Sequence, residues 1–331
     1  MGIAIIGFGH YLPARRVGNP ELAERFGVSE DWILAKTGIR ERRYAAADEA
    51  TSDLAVAAAR DCLARAGVAA SELDCLLVAT MTPDQPCPST AALVQRQLGA
   101  VRAWGFDLMA ACSGFLYALQ VGAALIEAGT CRTVLVCAAD KMSSIIDPLD
   151  RKTTLVLADG AGACLLQRSD TANHLLGMRC QLDSTCLTDI VAPAGGSRLP
   201  ATPALVAAGA HYLRFVSRHI GPEVLRLFGQ AIRELLADQR LTLAQVDCLV
   251  PHQANLRLLE ALGDDLGLPA NKLLANVADI GNTSAATIPL AISQALRSGR
   301  LRGHETLLLA AVGAGYTYAA GLIKLHLSPS A

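Results

Sequence analysis

Two hydrophobic periodicities alternate along this chain. Residues 58–76, AARDCLARAGVAASELDCL, carry apolar positions at helical spacing and pass through a short polar link into an apolar run, Leu76–Thr80. Residues 231–249, AIRELLADQRLTLAQVDCL, do the same and lead into Leu249–Pro251. This pattern predicts, twice, an amphipathic helix feeding a strand buried on both faces. The echo continues in order. Gly129–Val136 and Gly303–Ala310 each read as an apolar strand after a helix, and the glycine-rich runs Asp159–Leu166 and Gly313–Ala320 read as strands closing each half. Helices alternating with continuous apolar strands predict α/β sheets covered on both faces. The repeat predicts two duplicated halves, residues 1–172 and 173–331. Between them, Gly195–Pro222, within a wider segment near 183–222, reads as an inserted cap, because Tyr212, Leu213, Phe215 and Val216 need burial.

Composition narrows the class. The 331 residues are 52% hydrophobic and 18% charged, with a formal net charge of −1. That suits an enzyme with a large core and excludes a disordered or fibrous chain. No global charge points to nucleic acid. The ten cysteines are scattered, mostly in apolar runs, and form no Cys-x-x-Cys pair. They read as reduced thiols of a cytoplasmic protein rather than as disulfides. The opening Met1–Gly7 lacks the features of a signal peptide, and no stretch is long and uncharged enough for a convincing membrane span.

The chemistry centres on Cys112, in Phe106-Asp-Leu-Met-Ala-Ala-Cys-Ser-Gly-Phe-Leu-Tyr-Ala-Leu119. A strand-like run enters the cysteine and a helix-compatible run leaves it. A thiol at such a turn lies near helix N–H groups and the positive end of the helix dipole, which favour the nucleophilic thiolate. His252 follows Pro251 at a strand end, and Asn282 follows Gly281 at the entrance to a small-residue helix. In the second half Asn282 stands at nearly the point that Cys112 holds in the first. A thiolate can take an acyl group from a thioester and hold it covalently. A neutral asparagine is no base, but its amide N–H can donate to a developing oxyanion. Together with a neutral His252 Nε2–H it would stabilise the enolate left when a malonyl thioester loses carbon dioxide. Backbone N–H groups at Cys112 and in Gly313-Ala-Gly315 would form a second oxyanion hole. Gly7-Phe-Gly9 lacks the third glycine of a dinucleotide loop, Asp159-Gly-Ala-Gly162 reads as a tight turn and sheet packing, and no His/Cys spacing resembles a zinc site.

These motifs resemble β-ketoacyl-acyl-carrier-protein synthase III, a condensing enzyme of the thiolase fold. Thr37-Gly-Ile-Arg-Glu-Arg42, the Cys112 segment, Asp159-Gly-Ala-Gly162, Val250-Pro-His-Gln-Ala-Asn-Leu-Arg257, Gly281-Asn-Thr-Ser284 and Gly313-Ala-Gly315 occur in family order. The resemblance implies a five-layered αβαβα homodimer using acyl-CoA and acyl carrier protein, with no cofactor and no metal. It assigns Cys112 as acyl acceptor, His252 and Asn282 to decarboxylation and condensation, and Ala314 to the backbone oxyanion position. Trp32 and Arg151 would flank the coenzyme A adenine, Asn255 would line the substrate site, and Arg257 would lie near the tunnel mouth where the carrier docks.

Three departures from the family pattern stand out. Cys87 replaces a bulky aromatic near the acyl pocket, which would admit a longer or bulkier primer. Asp264-Asp265 occupy a helix face where lysines often meet an acidic carrier. The cap around Phe215–Pro222 fits the pattern poorly. An acyltransferase working without condensation and an inactive subunit of a heterodimer are the alternatives; a papain-like hydrolase lacks its local cysteine signature.

Overall fold

The computed structural model describes residues 2–327; Met1 and the last four residues of the second half, 328–331, lie outside the described residues. Two sheets repeat one topology. The first has the strand order Gly2–Tyr11, Asp159–Ser169, Thr133–Lys141, Cys75–Ala79, Trp104–Leu108. The second has the order Leu175–Leu182, Thr317–Lys324, Thr306–Gly313, Cys248–Pro251. In each, the first two pairings are antiparallel, and the later pairings are parallel. The counterpart of Trp104–Leu108 shrinks in the second half to one parallel bridge, Leu249 to Leu273.

Helices fill three layers around the sheets. Thr51–Ala66 and Thr90–Leu98 cover the outer face of the first sheet. Ile220–Asp238 and Leu256–Leu266 cover the outer face of the second. Between the sheets lie Gly114–Glu127 and Thr287–Arg297, packed against the inner faces of both. Their sequences suit that place. GFLYALQVGAALIE carries no charge before its last residue, so it can bury its whole circumference. TIPLAISQALR tolerates Pro289 because a first-turn N–H has no partner within the helix. At Gly162 a Cβ would stand 2.7 Å from the Pro289 ring and 2.8 Å from Leu290 N, so glycine sets the close approach of this helix to the first sheet.

Several boundaries differ from the sequence reading. Gly313-Ala-Gly315 is no strand interior but the turn joining two antiparallel strands, Thr306–Gly313 and Thr317–Lys324. Strands expected from Gly129 and Gly303 start at Thr133 and Thr306, after polar turns. In the cap, Ile190–Val191 pairs with Arg214–Phe215. Leu213 is buried and Phe215 half-buried, but Val216 is 57% exposed. Among the described residues no helix is long and apolar enough to cross a membrane.

Candidate active site

Cys112 sits in the single turn Ala111–Ser113, between the strand Trp104–Leu108 and the helix Gly114–Glu127. Ala111 holds a left-handed φ of 46° there, a conformation that costs a non-glycine residue free energy. The turn is tied to the second half. Ser113 Oγ donates to Thr317 O at 2.9 Å, and Thr317 Oγ1 donates to Ala110 O at 2.7 Å. At Gly313 a Cβ would lie 2.7 Å from Cys112 N, so glycine lets this loop reach the nucleophile's backbone.

The second half delivers the other two groups. His252 ends the strand Cys248–Pro251, and its N–H donates to Ala310 O at 2.7 Å. Asn282 is clamped by backbone bonds: its N–H donates to Val156 O at 2.9 Å and its carbonyl accepts from Ala158 N at 2.8 Å. Its side-chain Oδ1 accepts from Ser284 N at 2.8 Å. A backbone N–H can only donate, so the amide oxygen faces Ser284 and the NH2 end is left for the site.

Cys112, His252 and Asn282 all line one cavity of about 280 Å³, together with Asn255 and Ala314. The remaining wall is largely apolar, and the cap supplies Ile190, Leu213 and Phe215. Burial dominates the electrostatics. It lowers the His252 pKa to about 3, so the imidazole is neutral. It pushes the Cys112 thiol up to about 12, against the Ser284 hydroxyl, which favours the thiolate from 3.7 Å away. The thiolate-favouring turn expected from the sequence is present, but desolvation outweighs it. Behind the site, Asp140 is fully buried and accepts from Met81 N at 2.8 Å, Thr80 Oγ1 at 3.0 Å and Ala285 N at 3.3 Å, which fixes the Ser284–Ala286 turn.

The outer residues divide. Asn255 lines the cavity and caps the helix Leu256–Leu266, with Oδ1 accepting from Leu258 N at 2.9 Å. The Arg151 guanidinium stacks 5.5 Å above the Trp32 ring; neither lines the cavity, but Lys152, next in the chain, does. Arg257 donates to Leu34 O and Ala35 O, each at 3.2 Å, and pairs with Glu260. Cys87 is exposed and does not line its own chain's cavity. Asp264 and Asp265 are exposed on Leu256–Leu266, and Asp265 pairs with Arg233 at 3.3 Å. Sequence reasoning gave no individual role to Ser284 and overlooked Thr287, whose Oγ1 lies 2.8 Å from His252 Nδ1. Their one sequence signal is a place in or just after the Gly281–Ser284 motif. Among the described residues no cluster of His, Cys, Asp and Glu could hold a metal.

Known proteins share this architecture. A family model described as 3-oxoacyl-[acyl-carrier-protein (ACP)] synthase III matches residues 106–184, and one for the C terminal part of the same synthase matches residues 236–325. The beta-ketoacyl-[acyl-carrier-protein] synthase III of Solibacter usitatus is 42% identical over 321 residues, covering 96% of this chain and 97% of that one. The chain belongs to the β-ketoacyl-acyl-carrier-protein synthase III family. The fold of this synthase is thiolase-like. It matches the crystal structure of the Aquifex aeolicus 3-oxoacyl-[acyl-carrier-protein] synthase III with a TM-score of 0.89 at 35% identity, over 98% of this chain and 100% of that one. It also matches the priming beta-ketosynthase of the R1128 polyketide pathway, with a TM-score of 0.88 at 34% identity, over 99% of this chain and 97% of that one. The two family matches contain Cys112, His252 and Asn282; neither reaches residues 185–235, which include most of the cap.

Proposed function

We infer that this protein catalyses a decarboxylative Claisen condensation, taking an acyl primer from acyl-CoA onto Cys112 and joining it to malonyl-acyl-carrier-protein. The observation that carries this reading is a cysteine, a neutral buried histidine and an amide NH2 converging on one apolar cavity. The Cys112 thiolate attacks the thioester carbonyl. Backbone N–H groups at Cys112 and Ala314 hold the oxyanion, and the departing coenzyme A thiolate takes up the proton the thiol released. The malonyl thioester then loses carbon dioxide. His252 Nε2–H and Asn282 Nδ2–H stabilise the enolate oxygen, where a low-dielectric wall strengthens both hydrogen bonds. The carbanion attacks the acyl carbon, and the Cys112 thiolate leaves and is reprotonated from solvent. The thioester itself stabilises the carbanion, so the reaction needs no metal or other cofactor.

The same reading covers the setting. We take the chain as two fused copies of one unit, 1–172 and 173–331, working in the cytoplasm. The Trp32–Arg151 stack offers a plane and a cation for the coenzyme A adenine and phosphates. The edge strand Trp104–Leu108, with Trp104 and Phe106 stacked and exposed, supports a homodimer built by pairing that edge with its copy.

Intact-protein mass spectrometry tests the reading with a panel of acyl-CoAs, each with and without malonyl-acyl-carrier-protein. The expected result is an acyl mass gain on Cys112 that disappears, with β-ketoacyl product, only when the malonyl donor is added. Discharge to a hydroxyl or amine acceptor without loss of carbon dioxide would replace condensation by simple acyl transfer.

A further inference from the structure

The role assigned above to His252 requires its proton on Nε2, and the ring alone does not fix that choice. A neutral imidazole carries one N–H, and the partner of the other nitrogen decides which. Here Nδ1 lies 2.8 Å from Thr287 Oγ1, its one side-chain partner among the described residues, and the backbone of Ser284 also faces the ring. His252 is 2% exposed as a residue, which leaves water little access to compete for Nδ1.

Thr287 Oγ1 has one hydrogen and two acceptors in reach, His252 Nδ1 and Ser284 O, the latter at 3.0 Å. Ser284 O already accepts from the backbone N–H of Thr287 itself, so it does not depend on the hydroxyl. Thr287 stands at the first position of the buried helix Thr287–Arg297, where the chain fixes its side chain against the ring. We propose that Thr287 is a positioning residue for condensation: its hydroxyl donates to Nδ1 of His252 and holds the ring with its proton on Nε2, the nitrogen left for the substrate. This rests on the condensing role of His252. Turned the other way, with the hydroxyl hydrogen on Ser284 O and Nδ1–H donating to Thr287, the ring would offer a lone pair to the enolate oxygen and repel it.

The test compares Thr287→Val, which keeps the shape and removes the hydroxyl, with Thr287→Ser, which keeps the hydroxyl. Three quantities are read: the tautomer of His252 by nitrogen-15 NMR of labelled protein, acyl loading of Cys112 by mass, and condensation by release of carbon dioxide. The wild type is expected to show an unprotonated Nδ1. Thr287→Val should slow condensation roughly 10- to 100-fold, the range seen when a functional histidine loses its orienting partner at metal sites. Loading should change much less, and Thr287→Ser should restore most of the rate. In a His252→Ala background the valine substitution should have no further effect, because its action runs through the ring. A protonated Nδ1 in the wild type, or an undiminished valine effect without His252, would overturn the proposal. The NMR result does not depend on turnover. An unprotonated Nδ1 in a protein that loads but does not condense would therefore leave the tautomer assignment standing and refute the condensing reading instead.

Discussion

Replacing Ser284 by alanine removes the one side-chain hydroxyl that favours the Cys112 thiolate, at 3.7 Å from Sγ. A hydrogen bond to a charged partner contributes about 1.5–3 kcal/mol. At about 1.4 kcal/mol per pKa unit, its loss raises the thiol by roughly one to two units above its already elevated value. The thiolate fraction at neutral pH then falls about 10- to 100-fold. A more basic thiolate is intrinsically more nucleophilic, with a Brønsted slope of about 0.4–0.5, which offsets nearly half of that in logarithmic terms. The net expectation is acyl loading slowed about 3- to 15-fold. Backbone strain does not confuse the comparison, since serine and alanine both carry a Cβ at the left-handed φ of 54°. The assay is the rate of iodoacetamide alkylation of Cys112 across pH, alongside single-turnover loading followed by intact mass. An alkylation profile of Ser284→Ala superimposable on that of the wild type would show that the hydroxyl does not reach the reacting sulfur, and would sink the argument.

Four further expectations follow from the same geometry. Cys112→Ala should abolish loading, whereas His252→Ala and Asn282→Ala should load normally and lose most condensation; equal loss of loading in Asn282→Ala would contradict that division. With preloaded enzyme, condensation should show no inflection from His252 between about pH 5 and 8, because burial keeps the ring neutral down to about 3; an inflection near 6.5 in wild type that vanishes in the His252 variant would refute this. Loading should instead climb with pH through the neutral range, since the raised Cys112 pKa makes thiolate scarcer as pH falls. If the proposed homodimer forms through the exposed edge strand, Phe106→Asp should convert it to monomers in light scattering; an unchanged mass would move the interface elsewhere.

Sequence by itself determined the class of protein and much of its plan. Helical and continuous apolar periods are local signals, so the helices, the buried strands and their repetition could be read without coordinates. Cys112, His252 and Asn282 were legible for a related reason: each sits at the junction of a strand or glycine turn with a helix, and such junctions have a local signature. The turn at Gly313-Ala-Gly315 was misread as strand because its small apolar residues satisfy both patterns, and only the antiparallel pairing of its flanks settles the matter. Tertiary structure alone decided the rest. Burial of the thiol, the hydroxyl of Ser284 beside it and the contact of Thr287 with His252 join residues far apart in sequence. Arg257, which the resemblance places near the tunnel mouth, also donates to the carbonyls of Leu34 and Ala35 at the end of the helix Glu30–Thr37, a contact between residues far apart in sequence. A side chain's chemistry is written in the chain, but its pKa, its tautomer and its partners depend on what packs around it, and that is fixed only when the two halves close on each other.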